Sequence, residues 1–172
     1  MPKALVDEFS MSMSMPLEVM VLRIVGAAML CGLIGLEREL SVNNAGLRTN
    51  MLIGVAAAML CVITLEMMHT LSPLTDASRM DPIRLVEAVT AGVAFLAAGV
   101  VVYTKGDVKG LTTGASMWLA GAIGLSAGMG FWPLALLASV LGVVILWTLR
   151  RIEIAAGLKD ETGDAVPQEK QK

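Results

Sequence analysis

The stretch LTTGASMWLAGAIGLSAGMGFWPLALLASVLGVVILWTL (residues 111–149) contains no Asp, Glu, Lys, Arg or His. A single helix of this length would measure roughly 58 Å at 1.5 Å per residue, about twice the ~30 Å hydrocarbon core of a bilayer. The segment must therefore turn back on itself. The best turn is GMGFWP, because glycine ends helices and proline suits the first turn of the next one. The stretch predicts two membrane-spanning helices.

The whole chain has the composition of an integral membrane protein. It has 172 residues, of which 56% are hydrophobic and only 16% charged, whereas soluble domains carry about 25% charged residues. Three further apolar segments precede the charge-free stretch, so the sequence predicts an all-α bundle of about five transmembrane helices. Each span is close to the ~20 residues that a bilayer needs. The predicted spans are residues 17–36, 49–68, 85–104, 111–129 and 133–149.

The domain organisation and orientation follow from these spans. The predicted parts are an extracytoplasmic N-terminal segment (residues 1–16), a transmembrane domain (17–151) and a polar cytoplasmic tail (152–172). Lys and Arg in short loops mark the cytoplasmic side. One side holds Arg38, Arg48, Lys105, Lys109, Arg150 and Arg151, while the other holds Arg79 and Arg84. We therefore expect the N-terminus outside the cell and the C-terminus in the cytoplasm.

Small residues recur at helical spacing within the spans. Ala120, Gly124 and Gly128 follow one another at every fourth position. Because lipid supplies no hydrophobic force between helices, close backbone approach at such residues supplies packing energy instead. The pattern predicts a tight bundle. The residues assigned to helix packing are Gly35, Gly46, Gly99, Gly110, Ala120, Gly124 and Gly128.

Two related stretches, GLRT at 46–49 and GLTT at 110–113, indicate an internal repeat. A shift of 64 residues places Gly35 on Gly99 and Gly46 on Gly110. Both copies have the same order of elements: a span, a loop on the side rich in Lys and Arg, and a span that returns across the membrane. The pattern predicts a parallel two-helix repeat about an axis along the membrane normal.

Polar residues gather where these returning helices begin. Thr49, Thr112 and Thr113 are predicted helix caps, because a threonine oxygen can accept from a free backbone N–H of the first turn. Arg48 opposes the helix dipole, so we expect it to pair with Glu37 or Glu39; the alternative is an exposed topological anchor. The predicted cytoplasmic polar cluster is Glu37, Arg38, Glu39, Arg48, Thr49, Thr112 and Thr113.

Charged residues also lie a few positions inside the opposite boundary. An ionisable side chain at a helix centre costs about 3 kcal/mol. We therefore expect Arg23 to pair with Glu66 or Glu87. A second hypothesis makes Glu66 and Glu87 the cation-attracting outer mouth of a channel. His69 is expected at the helix end or in the outer loop, where it could respond to pH.

Several chemical functions have no residues to support them. The sequence has no phosphate-binding loop, dinucleotide fingerprint, clustered metal ligands or nucleophile with an adjacent base. Cys31 and Cys61 lie in apolar runs without metal-ligand spacing, so we expect two core thiols. No enzymatic activity, cofactor, bound metal or nucleic-acid partner is expected.

Four ordered motifs carry a resemblance to a known family. GLIGLERE, AGLRTNML, GVAFLAAGVV and VKGLTTGASMWLAGAIGLSAGMG resemble the motifs of the MgtC/SapB family of bacterial inner-membrane proteins, over about residues 26–151. The third motif departs from the family pattern, with Ala94 and Ala97 in place of two glycines. Longer members also carry a globular cytoplasmic domain, whereas this sequence ends after a short polar tail. The family signature falls on Gly35, Glu37, Arg38, Glu39, Gly46, Leu47, Arg48, Thr49, Phe95, Leu96, Gly99, Gly110, Leu111, Thr112, Thr113 and Trp118.

The resemblance implies an inner-membrane protein associated with magnesium homeostasis, with adaptation to low magnesium or acid, and in some pathogens with survival in host cells. The expected partners are the lipid bilayer and other membrane proteins or a second copy, with Mg²⁺ as the candidate ion. Two functions stay open: a non-enzymatic modulator of membrane partners, or a small oligomeric transporter or channel for magnesium or another cation. A transporter needs a polar route across the bilayer. Mid-depth hydroxyls are few, which favours the modulator: Thr90, Ser116, Ser126 and Ser139.

Overall fold

The computed structural model describes residues 13–40, 45–71, 81–104 and 107–156. Within them the chain forms five helices and one short hairpin, whose strands pair antiparallel with Tyr103 opposite Val108. The predicted N-terminal segment before residue 13, the tail after residue 156, and Arg79 and Lys105 lie outside the described residues. The elements are α1 (Leu17–Leu40), α2 (Leu47–Leu71), α3 (Pro82–Val100), β1 (Val102–Thr104), β2 (Asp107–Lys109), α4 (Leu111–Met129) and α5 (Trp132–Ala155).

The predicted all-α membrane bundle is confirmed. Four helices in the described part of the chain, α1, α2, α3 and α5, are long and apolar enough to cross a membrane. The fifth, α4, has 19 residues, none of them charged, and is rich in small side chains. It packs against all four other helices. The charge-free helix is therefore the central one.

Small residues bring α4 into backbone contact with α2. A methyl group added at Gly124 would lie 2.6 Å from the Gly54 carbonyl oxygen, and one added at Gly128 would lie 2.7 Å from Cβ of Cys61. Ala120, one turn earlier, has no exposed surface. Because residue numbers rise together along both helices, α2 and α4 run in the same direction. This is the direction that a parallel two-helix repeat requires.

Helix α1 runs antiparallel to α2 and α4 and completes the core. A methyl group added at Gly35 would lie 2.7 Å from Cα of Leu47 at the start of α2. Deeper in the bundle, the Cys31 thiol donates to the Ala120 carbonyl oxygen at 3.3 Å, and the Ser139 hydroxyl of α5 donates to the Leu30 carbonyl oxygen at 2.9 Å. These polar side chains in the middle of the bundle are therefore hydrogen-bonded to backbone carbonyls of neighbouring helices.

Helix α3 is covered by the other helices much less than α1 is. Of the residues in the apolar stretch of α3, only 11% are buried within the bundle, compared with 39% for α1. Gly99 has no described atom within 4 Å of the position that a methyl group would take. The packing role predicted for Gly99 is therefore not found. The two glycines that the predicted repeat superimposes, Gly35 and Gly99, differ in their surroundings.

The third predicted span is wrong at its end. Helix α3 stops at Val100, and Val101 already has an extended backbone (φ −84°, ψ 115°). The next residues form β1 instead of continuing the helix to residue 104. Val101, Val102, Tyr103 and Thr104 are β-branched or aromatic residues, which favour extended structure. Apolar composition alone does not distinguish such a run from the end of a span.

The turn between the last two helices is confirmed. Gly130 ends α4 with φ +82°, the left-handed conformation that glycine adopts readily. Its N–H donates to the Ala127 carbonyl oxygen at 2.9 Å. Pro133 lies in the first turn of α5, as expected. Helix α5 continues to Ala155, so it extends beyond the predicted span and the predicted domain boundary at residue 151.

Candidate functional site

Polar side chains gather at one end of the bundle, where α1 and α5 end and α2 and α4 begin; we call it the Arg38 end. Arg38 is only 7% exposed. Its Nη2 donates to Oγ1 of Thr113 at 2.9 Å, which joins the last turn of α1 to the first turn of α4. The carboxylate of the neighbouring Glu37 attracts the guanidinium, while Arg150 of α5 places a second positive charge nearby. The structure thus brings a buried charge to the meeting point of three helices.

Thr113 does not cap α4 as predicted. The N-cap of α4 is Gly110, in a left-handed conformation with φ +88°, and no side chain of the described residues caps the first turn. A methyl group at Gly110 would collide with the carbonyl oxygen of Val100. Thr113 is buried within the first turn and points to Arg38, whereas its neighbour Thr112 is exposed. The threonine therefore serves a contact between helices.

The first turn of α2 is capped by a residue of α1. A carboxylate oxygen of Glu39, Oε2, accepts from the backbone N–H of Leu47 at 3.0 Å. A negative charge at this position also matches the positive end of the helix dipole. A methyl group at Gly46 would overlap this carboxylate, so any larger residue there would displace the Glu39 side chain from its capping position. Thr49 is half-buried in the same turn.

Arg48 does not form the expected pair with Glu37 or Glu39. Its side chain is exposed, and it forms no hydrogen bond or ion pair with residues of the described ranges. The carboxylate of Glu39 contacts the backbone of Leu47 instead. An exposed cation on the first turn of a helix opposes the helix dipole. Local helix energetics therefore give no reason for an arginine at this position.

Asn50 is a site residue that was missed in the predicted cluster. It is fully buried, and its Nδ2 donates to the carbonyl oxygens of Gly46 at 2.9 Å and Ala45 at 3.3 Å. These bonds hold the chain as it enters α2. The sequence did contain a signal, because Asn50 is an amide in the first turns of an apolar span. A polar group buried there must be hydrogen-bonded, which would have indicated a structural contact.

The opposite end of the bundle, where α1 begins and α2 ends, is called the Glu66 end. Arg23 does not pair with Glu66 or Glu87 there. Its Nη1 donates to the Gly128 carbonyl oxygen at 2.8 Å. This carbonyl lies in the last turn of α4, where unpaired carbonyl groups and the helix dipole attract a cation. Arg23 thus stabilises the C-terminal end of the central helix.

The two acidic residues predicted at this end have different surroundings. The Glu66 carboxylate accepts hydrogen bonds from the backbone N–H and hydroxyl of Ser14 and from the N–H of Met15. Glu87 is exposed on α3, and its carboxylate accepts no hydrogen bond from the part of the chain that the structure describes. His69 is exposed one turn beyond Glu66. The Glu66 carboxylate is therefore hydrogen-bonded to the segment before α1, whereas the exposed Glu87 carboxylate has no such bond to the described residues.

No group of three or more His, Cys, Asp or Glu residues that could hold a metal ion occurs among the described residues. Cys31 and Cys61 are free and buried, as expected of core thiols. The groups at the Arg38 end can bind charge and fix helix positions.

Five packed apolar helices with charged groups at both ends define a multi-pass membrane protein. The chain belongs to the MgtC family, whose family model matches residues 24–155. This confirms the resemblance that the motifs predicted.

Named relatives support the same assignment. The chain is 35% identical over 126 residues to "Putative magnesium transporter YhiD" of Escherichia coli (strain K12), which covers 73% of this chain and 58% of the relative. It is 39% identical over 134 residues to "Protein SapB" of Bacillus subtilis (strain 168), and the alignment covers 74% of this chain and 57% of the relative. It is 35% identical over 125 residues to "Protein MgtC" of Brucella abortus (strain 2308), and the alignment covers 73% of this chain and 49% of the relative.

The chain spans about half the length of these curated relatives. No solved structure matches it.

Proposed function

We propose that this protein is a non-enzymatic factor of magnesium homeostasis in the bacterial inner membrane, and that it acts by binding other membrane proteins. The proposal extends to adaptation to low magnesium or acid, the physiology that the family resemblance implies. The orientation is the one that the distribution of Lys and Arg predicts, with the Arg38 end in the cytoplasm.

The single observation that carries the proposal is the exposed, unpaired state of Arg48 within the described residues. Nearby charged groups have roles inside the bundle: Arg38 binds Thr113, and Glu39 caps α2. Arg48 has no such role, although it opposes the dipole of its own helix. A partner with an acidic group at the membrane surface would supply the missing counter-charge.

The packing of the helix centres supports binding over transport. A carrier needs a water-reachable polar route at mid-depth. Here Gly54 and Gly124 bring the backbones of α2 and α4 together, and the mid-depth thiol of Cys31 bonds to Ala120. These contacts fill the region where α1, α2 and α4 meet.

The alternative is a small oligomeric transporter or channel for magnesium or another cation. The name of the Escherichia coli relative, a putative magnesium transporter, favours it. In that function Glu87, whose carboxylate is exposed, would attract cations at the outer mouth together with Glu66. The hydrogen bonds from Ser14 and Met15 to Glu66 would then have to open.

The proposal is tested at Arg48. In a strain lacking the chromosomal copy, Arg48→Ala should fail to restore growth at low magnesium. With a photoreactive residue at Leu52, which is exposed one turn further along α2, Arg48→Ala should also lose a membrane protein that crosslinks to the chain with Arg48 in place. Arg84→Ala is the matched control, because Arg84 is an exposed arginine at the other end of the bundle. If both variants restore growth at wild-type protein levels, Arg48 is a topological anchor only.

A further inference from the structure

The Glu66 end contains a cavity of about 480 Å³ that is lined in part by three methionines. Met13, Met20 and Met67 line it beside Glu66, and the remaining lining residues belong to α2: Val62, Ile63 and Thr70. The three methionines come from three places: the segment before α1, the first turn of α1 and the last turns of α2. The fold therefore brings methionines from the N-terminal part of the chain and from the end of α2 to one cavity.

Hydrogen bonds hold the segment before α1 against α2. Glu66 accepts from the Ser14 hydroxyl at 2.6 Å and from the Met15 N–H at 3.3 Å, as well as from the Ser14 N–H. These bonds fix the described part of MSMSM (residues 11–15), a methionine-rich tract for which the proposed function gives no role. They set Met13 beside the end of α2.

We propose that Met13, Met20 and Met67, with the charge of Glu66 nearby, bind a soft monovalent metal ion, Cu(I) or Ag(I). Thioether sulfur selects soft ions. Methionine is unbranched and has three rotatable bonds, so the side chains can close on an ion smaller than the cavity. The Glu66 carboxylate balances the single positive charge. This inference is independent of the proposed function.

The exposure of these methionines distinguishes the site from ordinary core packing. Met13 is 64% exposed and Met67 is 53% exposed, whereas only Met20 is buried, at 6%. Two of the three side chains therefore do not fill the core. A hard ion such as Mg²⁺ is a poor fit, because it requires several oxygen ligands and the cavity offers one carboxylate that already accepts three hydrogen bonds.

The test uses the full chain in detergent micelles with ¹³C-methyl-labelled methionine, titrated with Ag(I) in chloride-free buffer. We expect one ion per chain and methyl shifts confined to Met13, Met20 and Met67. Excess Mg²⁺ should not reverse them. Competition with a chromophoric Cu(I) chelator under reducing conditions then gives the affinity for Cu(I).

Leucine substitutions keep apolar volume and remove sulfur. The double variant Met13→Leu/Met67→Leu should weaken Ag(I) and Cu(I) binding at least about tenfold, while its melting temperature stays that of the wild type. Met29→Leu/Met59→Leu is the matched control, because both are exposed methionines of α1 and α2 outside the cavity. Equal loss in both variants, methyl shifts spread over exposed methionines, or displacement by Mg²⁺ would overturn the proposal, and the wild-type titration decides it even if a variant fails to fold.

Discussion

Arg38 shows how a single charged residue is accommodated in an apolar bundle. Its guanidinium is buried, yet it lies beside Glu37 and donates to Thr113 across a helix boundary. A buried charge is tolerated only when such partners are in place, and the loss of one of them is costly. The stability of the Arg38 end therefore depends on small polar groups of the neighbouring helices.

Thr113→Val tests this contact, because it replaces the hydroxyl by a methyl group of similar shape. We expect a loss of about 1.5–3 kcal/mol of stability, the usual value of a hydrogen bond to a charged group. Thermal unfolding in detergent measures the change. Thr112→Val is the control, since Thr112 is the exposed neighbour in the same turn. Equal stability of both variants would show that the hydroxyl of Thr113 contributes nothing.

The sequence predicted most residues of the Arg38 end, with Asn50 missed, but it did not predict their roles. Thr113 was predicted as a cap because a threonine oxygen can accept from a free backbone N–H in the first turn of a helix. Its actual partner, Arg38, lies 75 positions away in the sequence. Arg48 was given a partner inside the protein, while the carboxylate of Glu39 is used by the Leu47 N–H. The local sequence shows where a helix starts, but it does not show which other helix packs against that start.

Helix α4 illustrates how small residues determine the packing of an element. Eleven of its 19 residues are buried, and Gly124 and Gly128 contact the backbone or Cβ atoms of α2. In lipid, this close approach is the main source of attraction between helices. The repeated spacing of small residues predicted a tight bundle, and in α4 these residues make the closest contacts with α2.

Gly124→Ala should separate α2 from α4. The added methyl group would lie 2.6 Å from the Gly54 carbonyl oxygen, a clash with backbone that neither helix can relieve by a rotamer change. We expect a destabilisation of about 1–3 kcal/mol or more, the usual cost of overpacking, measured as a lower unfolding midpoint in detergent. Gly92→Ala is the control, because no described atom lies within 4 Å of the added methyl group. An unchanged midpoint for Gly124→Ala would contradict the contact.

Element boundaries were harder to predict than element existence. All five predicted spans correspond to helices, because long apolar runs leave few alternatives in a membrane. The end of α3 was misplaced because Val101 to Thr104 satisfies the hydropathy criterion and the preference for strands equally well. The uncovered face of α3 was also unpredictable, since Gly92 and Gly99 look in sequence like the glycines that pack α4.

At the scale of the whole molecule, the bundle has a filled centre and charged groups at both ends. The Arg38 end is held by contacts among α1, α2 and α4, and it leaves Arg48 exposed. At the Glu66 end, Arg23 bonds to the C-terminal end of α4 and Glu66 bonds to the segment before α1. This arrangement suits a protein that presents fixed surfaces to partners in the membrane.

Magnesium flux across a liposome membrane tests the central claim most directly. The purified full chain is reconstituted in liposomes that contain a magnesium-sensitive dye, with an ionophore as the positive control. If the protein is a modulator, Mg²⁺ should enter no faster than it enters protein-free liposomes. Reproducible influx that Glu66→Gln or Glu87→Gln abolishes would contradict the account and establish the transporter.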